Sequence, residues 1–329
     1  MGQRSRPVES MEVAAPVAGG SSPVALKGRR LAVIVPIHNE AINIRPFYLR
    51  AQPALDGIPD VASWQIVFCD NGSSDESLDE VLRLRDADAR VKVITLSKNF
   101  GYHSSLVAGL SSVDADLYAM IDVDCEDPPE LLPTFHQAIV EGAELAYGIR
   151  SQRDEPRVVT VFRRAFYALN RRVADSEIIM WMAEFSMMTR QVRDAILVPH
   201  TTFPFIRAEM GYVGFARVGV PYRRARRERG ASHYNLFTMT KFAVAGILSR
   251  TTFPLRLTAY AAFVLATAYP LIVWVMHYTM AEAAQLATVM SFYFLLVSIP
   301  CIGLYVARTY RNGIHRPVYI IDWHRTQLD

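Results

Sequence analysis

Asp122, Asp124 and Glu126 occupy alternate positions within Met120–Leu132, at the predicted end of an apolar strand. In an extended chain alternate side chains share a face, so these three carboxylates would converge at the strand's carboxyl end. Such a donor set suits a hard divalent cation, Mg²⁺ or Mn²⁺. These ions keep several waters and bind substrate phosphates. The stretch therefore points to an enzyme that handles a nucleoside diphosphate. An acidic turn facing solvent is the simpler alternative, and Asp-x-Asp alone is not specific; its surroundings decide.

Strands are predicted at Arg30–Pro36, Trp64–Asp70, Val91–Ser97, Asp116–Asp122 and Ala143–Gly148, mostly as continuous apolar runs. Amphipathic patterns lie between them, near Ala41–Leu55, Glu76–Arg85, Tyr102–Ser112 and Glu130–Glu141. This alternation predicts an α/β fold, a mostly parallel sheet with helices on both faces. In such sheets ligands bind beyond the carboxyl ends of the strands. The polar clusters fall there: His38-Asn39-Glu40 after the first strand, Asp70–Asp75 after the second, Lys98–Gly101 after the third and the carboxylates after the fourth. Neither Gly-x-Gly-x-x-Gly nor Gly-Lys-Ser/Thr occurs, which argues against dinucleotide enzymes and P-loop NTPases.

A net charge of +3 over 329 residues disfavours a general nucleic-acid binder. The 51% of hydrophobic residues are unevenly spread. Leu257–Tyr278 and Ala283–Ala307 carry no Asp, Glu, Lys or Arg, and each exceeds the roughly 20 residues a helix needs to cross a bilayer. Arg250 and Arg256 precede the pair, while Arg308, Arg311 and Arg316 follow it. The positive-inside rule then puts both ends of a transmembrane hairpin in the cytoplasm. Val158–Val173 reads as a basic amphipathic surface helix, and Leu236–Leu248 as a second interfacial helix. The basic run Arg223–Gly230 could grip phosphate or lipid head groups, or simply face solvent. Cys69, Cys125 and Cys301 show no metal or disulfide spacing. The expected organisation is a disordered tail (1–28), an α/β domain (29–235), an interfacial helix (236–252), a hairpin (253–310, spans near 255–278 and 283–307) and a cytoplasmic tail (311–329).

The ordered motifs resemble the family 2 glycosyltransferases of GT-A fold, in particular the bacterial polyprenyl-phosphate glycosyltransferases and dolichyl-phosphate mannose synthases. Val33–Glu40 resembles that family's opening strand and loop, and Asp70–Asp75 its Asp-Asp-Gly-Ser-x-Asp. Leu96–Gly101 resembles Leu-Ser-Arg-Asn-Phe-Gly, and Asp122–Leu131 resembles Asp-x-Asp-x-Gln-Asp-Pro-Pro-Glu-Leu. Tyr147–Arg150, Phe205–Arg207, Val220–Tyr222 and Pro254–Leu257 match later segments. The resemblance covers roughly Leu31 to the C-terminus, and the order of the motifs is more specific than any one of them.

It implies that Asp122 and Asp124 hold Mg²⁺ or Mn²⁺, with Glu126 a further ligand. Pro36, Glu40 and Asp70 would contact the nucleoside, in a pocket shared with His38, Ser73 and Asn99. Arg150 and Arg227 would meet donor or acceptor phosphates. Glu184 stands where the family carries a catalytic or acceptor-side Asp, and His233 where it carries a phosphate-binding Lys; Ser186 replaces an Arg. The implied activity is inverting transfer of one hexose from a UDP- or GDP-linked donor to a polyprenyl phosphate on the cytoplasmic face of the inner (plasma) membrane. Membrane lipids are implied partners, and by family analogy alone so are a homo-oligomer and a product flippase. The product would serve cell-envelope glycan or protein glycosylation. A polymerising synthase of the same fold is an alternative, although no Gln-x-x-Arg-Trp occurs. A non-catalytic membrane scaffold is another.

Overall fold

The computed structural model of the protein describes residues 28–150, 182–198, 204–225 and 251–329. The expected surface helix 158–173, nearly all of the interfacial helix 236–252, the tail before residue 28, Arg227 and His233 lie outside the described residues.

Seven strands make one sheet: β1 (Arg29–Ile37), β2 (Val61–Asp70), β3 (Val91–Thr95), β4 (Leu117–Met120), β5 (Leu145–Arg150), β6 (Met182–Thr189) and β7 (Arg217–Tyr222). Their order is β3-β2-β1-β4-β6-β5-β7. β1, β2, β3 and β4 pair in parallel. β6 runs antiparallel between β4 and β5, and β5 is parallel to β7. Six strands thus end at one edge of the sheet, where β6 begins. The mostly parallel sheet agrees with the expectation; β6 and β7 are additions to it.

The helices are α1 (Ala41–Asp56), α2 (Ser77–Ala87), α3 (Tyr102–Ser112), α4 (Leu132–Val140, entered through a 3₁₀ turn at Pro129–Leu131), α5 (Arg190–Leu197), α6 (Ile206–Tyr212), α7 (Phe253–Val275) and α8 (Met280–Gly313). Period-two alternation in β1 serves both layers. Leu31, Val33 and Val35 pack with Ile44 and Phe47 of α1, Val81 of α2 and Phe135 of α4. Ala32 and Ile34 pack with Leu106 and Leu110 of α3, Val192 and Ile196 of α5, and Met210 of α6. Burial on both faces is why the strand reads as an uninterrupted apolar run. Gly109 lets α3 approach the sheet closely, since a Cβ there would lie 2.4 Å from Ile34 Cγ2 and 2.6 Å from Cys69 Sγ.

α7 and α8 are long and apolar enough to cross a membrane, and almost none of their residues is buried. A capping box starts α8, with Thr279 Oγ1 accepting from Glu282 N and the Glu282 carboxylate accepting from Thr279 N. Glu282, expected in the interhelical link, is therefore part of α8. Tyr269 Oη donates to Ala283 O at 3.1 Å, and Tyr305 Oη donates to Thr251 O at 2.7 Å, tying the hairpin together. Beyond Gly313 lies most of the segment expected as a tail (311–329). It returns to the sheet and makes antiparallel bridges from Ile321 to Leu96 and from Gln327 to Val93.

Candidate active site at the carboxyl edge of the sheet

The predicted extended alternation of Asp122, Asp124 and Glu126 is corrected by the backbone. β4 ends at Met120, and the following residues form a turn in which Cys125 takes φ +58°. A turn does not put alternate side chains on one face, and among the described residues no three His, Cys, Asp or Glu side chains form a group able to hold a metal ion. Each carboxylate has its own surroundings instead. Asp122 Oδ1 accepts from Tyr102 Oη at 2.7 Å. Asp124 Oδ1 accepts from the Glu126 amide at 3.0 Å. The Glu126 carboxylate pairs with Arg224 at 2.7 Å, which removes it from an obvious three-carboxylate set.

Asp127, the next acid along, is 1% exposed and anchors the basic side of the site. It accepts from Arg150 Nη2 at 3.1 Å and from Tyr222 Oη, and Arg224 Nε lies 3.6 Å away. Register explains the convergence, because Arg150 closes β5 directly opposite Tyr222 at the end of β7, and Arg150 Nε donates to Tyr222 Oη at 3.2 Å. Burial works against the Arg150 charge, yet Asp127 and Tyr222 raise its pKa above the ordinary value. Glu184, near the start of β6, receives two hydrogen bonds from Arg207 Nη2 of α6. Burial opposes its ionisation, but the Arg207 charge and hydrogen bonds prevail and hold the carboxyl below its usual range.

Asp122 behaves in the opposite sense. Burial, then the charges of Asp127 and Asp124, push its carboxyl up to about 7, with the Tyr102 hydroxyl offsetting part of the effect. Glu184 adds to the same negative field. Crowded like charge of this kind fits a divalent cation held by two carboxylates, Asp122 and Asp124, whose remaining coordination comes from water and substrate phosphate. The donor chemistry thus suits Mg²⁺ or Mn²⁺, in a two-carboxylate form.

The first three loops build the neighbouring wall. Asp70 is buried at the end of β2, and its carboxylate accepts from Ser73 N at 3.0 Å. Ser73 Oγ accepts from Asn39 N, and Asn39 Oδ1 accepts from Ser74 N at 2.8 Å. Glu40 accepts from Asn43 Nδ2 and gives its amide to Ser77 Oγ. Asn99 Oδ1 accepts from Asn71 Nδ2 at 3.1 Å, while Asn99 Nδ2 donates to His38 Nε2 at 3.0 Å. Pro36 is buried in β1, one residue before its end, while His38 is exposed. Pro36 and Glu40 flank His38 in sequence, and hydrogen bonds thus link Asp70 with Ser73 and Asn99 with His38. Gly72 makes this possible: it takes φ +69°, and a Cβ would stand 2.7 Å from the Lys98 carbonyl carbon.

Sequence reasoning gave no role to Tyr102, His103, Asp127 or Arg207, and named Tyr222 only within a motif. Asp127 lies inside the acidic stretch itself, and Arg207 lies in a quoted segment, so both had a signal. Tyr102 and His103 had none, because only the turn of α3 onto the site exposes their role. The His103 ring packs edge-on against Tyr102 and Phe205. Burial, with the Arg207 charge and against the pull of Glu184, lowers its pKa to about 4.

The chain is 30% identical to the bactoprenol glucosyl transferase of Shigella phage SfV over 303 residues, covering 89% of this chain and 98% of that one. It is 29% identical over 305 residues to the uncharacterized glycosyltransferase YkcC of Bacillus subtilis, covering 88% and 93%. A solved glucosyl-3-phosphoglycerate synthase from Mycobacterium tuberculosis, in complex with Mn²⁺, UDP and glucosyl-3-phosphoglycerate, aligns with TM-score 0.49 at 20% identity over 70% of this chain and 85% of that one. The sequence profile of glycosyl transferase family 2 matches residues 32–210. That match runs from β1 into α6 and takes in every carboxylate of the candidate site, and the chain belongs to glycosyl transferase family 2.

Proposed function

We infer that the protein transfers a single hexose from a nucleoside-diphosphate sugar to a polyprenyl phosphate at the cytoplasmic face of a membrane. The observation that carries this reading is the gathering of two groups at one sheet edge: Asp122 and Asp124, whose charges act on each other, and Arg150 paired with Asp127. The first suits a cation that binds a diphosphate; the second is a guanidinium suited to phosphate. The bactoprenol glucosyl transferase named above shares nearly its whole length with this chain, and supports a polyprenyl acceptor and glucose as the first sugar to test. The two apolar helices support a membrane-anchored enzyme.

Asp122 and Asp124 would hold the cation, which when bound neutralises and orients the leaving diphosphate. Asp70, Ser73 and Asn99, with Pro36, His38 and Glu40, form the nucleoside wall. An acceptor phosphate oxygen forms the new bond to the anomeric carbon. The bond from that carbon to the donor's phosphate oxygen breaks, and the nucleoside diphosphate leaves with the electron pair. Attack from the opposite face inverts the configuration. The acceptor is anionic at neutral pH, so no strong general base is needed. Glu184, kept ionised, fixes Arg207 at this edge, where it and Arg150 offset phosphate charge. The remaining members of the proposed site, Arg227 and His233, lie on the basic segment after β7.

Membranes containing the protein, incubated with a panel of radiolabelled UDP- and GDP-sugars, should place label in an acid-labile lipid fraction for one donor. Label in long polymer would favour the synthase alternative. Absence of label with every donor would count for the scaffold.

A further inference from the structure

The segment after α8 is pinned along β3, an edge strand of the sheet, by backbone hydrogen bonds at Val93, Thr95 and Ser97. Val93 N donates to Gln327 O at 3.0 Å, and Gln327 N returns a bond to Val93 O at 2.9 Å. Asp322 N donates to Thr95 O at 2.8 Å, and Ser97 N donates to Ile320 O at 2.9 Å. Thr326 lies at the middle of this pairing. Its hydroxyl accepts from Thr95 N at 3.0 Å and donates to Asp322 O at 2.8 Å, closing the turn that carries the segment. Tyr319, Ile321 and Leu328 pack on the apolar cluster below α3, and Arg85 Nη2 donates to Asp329 O at 2.7 Å.

The pinned residues of β3 run directly into the loop Lys98–Gly101. Leu96 N donates to Asp70 O on the other side, so the strand end is clamped between β2 and the returning segment. Two residues beyond Ser97, Asn99 holds Asn71 and His38, and the Lys98 backbone lies against Gly72. Only Ile314–Tyr319 separate the end of α8 from the first pinned residue, a reach of at most about 25 Å.

We propose that this segment is a positioning strap: Thr326 and the bonds around it set the Lys98–Gly101 loop for donor binding and tether that loop to the membrane hairpin. The donor role rests on the function proposed above; the ordering of the loop does not. Covering an open strand edge would by itself explain some pairing. It does not explain why the clamp continues past the last β3 residue, Thr95, to Ser97, at the root of the loop that carries Asn99.

The test uses the full chain with Thr326→Val, which removes the acceptor and donor, and Thr326→Ser, which keeps both. Hydrogen exchange read by mass spectrometry should show amides of Ser97–Gly101 exchanging at least tenfold faster in Thr326→Val, with β1 amides unchanged, and near-normal protection in Thr326→Ser. In turnover assays KM for the nucleotide sugar should rise about tenfold in Thr326→Val with kcat within twofold. Unchanged loop exchange would overturn the proposal, and so would equal acceleration in β1, which marks general destabilisation. A fall in kcat at constant KM would also overturn it. If the wild-type protein transfers no sugar, the function reading fails while the exchange data still decide the strap.

Discussion

Tyr102, the first residue of α3, donates its hydroxyl to Asp122 Oδ1 at 2.7 Å. The bond joins the helix that follows the third-strand loop to the turn after β4, so that loop and the carboxylates are tied together. Hydrogen bonds to a charged group contribute roughly 1.5–3 kcal/mol. Tyr102→Phe should lower kcat/KM about tenfold and lower the melting temperature by roughly a few degrees. Unaltered kinetics in that variant would remove Tyr102 from the site.

Arg207 and Glu184 form a half-hidden pair in which each neutralises the other. Removing one partner leaves a buried charge, and such losses cost about 3–5 kcal/mol in buried pairs. Because Arg207 keeps some solvent contact, Arg207→Ala should destabilise by roughly 3 kcal/mol. The double variant Arg207→Ala with Glu184→Gln should recover part of that loss. Denaturant melts of the two single variants and the double supply the coupling; strict additivity would mean that the pair is not a unit.

His103 ties stability to pH. Its folded pKa is about 4, below the ordinary 6.5. Between these values the unfolded chain binds more protons than the folded one, so stability falls as pH drops from 6.5 toward 4. The loss attributable to this residue is on the order of 2–3 kcal/mol. His103→Phe, which keeps an aromatic ring between Tyr102 and Phe205, should flatten that slope. Identical pH profiles for the variant and the wild type would assign the slope to other groups.

Gly72 sits where the β2 and β3 loops meet closely. Gly72→Ala introduces both a strained φ and a Cβ 2.7 Å from backbone, and should destabilise by more than about 1 kcal/mol while raising KM for the donor. A variant with normal stability and normal KM would show that the β2 and β3 loops need not meet.

β1 to β5 and α1 to α4 were legible because each strand is buried on both faces and each helix on one, which writes distinct periods into the chain. β6 was not legible. Met-Ala-Glu-Phe-Ser-Met-Met-Thr has few β-branched residues, and its extended form comes from pairing with β4 and β5 on either side. The turn at Asp122–Asp127 was misjudged for a related reason: the strand ends two residues before Asp122, and no local signal marks that point. The loops of the site were found by their polarity. The Arg150–Asp127–Tyr222 group was not, since it depends on β7 lying beside β5, which is a fact of topology. The pairing of the last segment with β3 likewise has no mark in composition.

Transfer measured against divalent cation tests the central claim most directly. Wild-type protein, assayed with its nucleotide sugar and polyprenyl phosphate, should lose activity on chelation and regain it when Mg²⁺ or Mn²⁺ is restored. Asp124→Asn, folded to the same melting temperature, should remain inactive at every cation concentration. Full turnover by Asp124→Asn, or by chelated wild-type protein, would contradict the account.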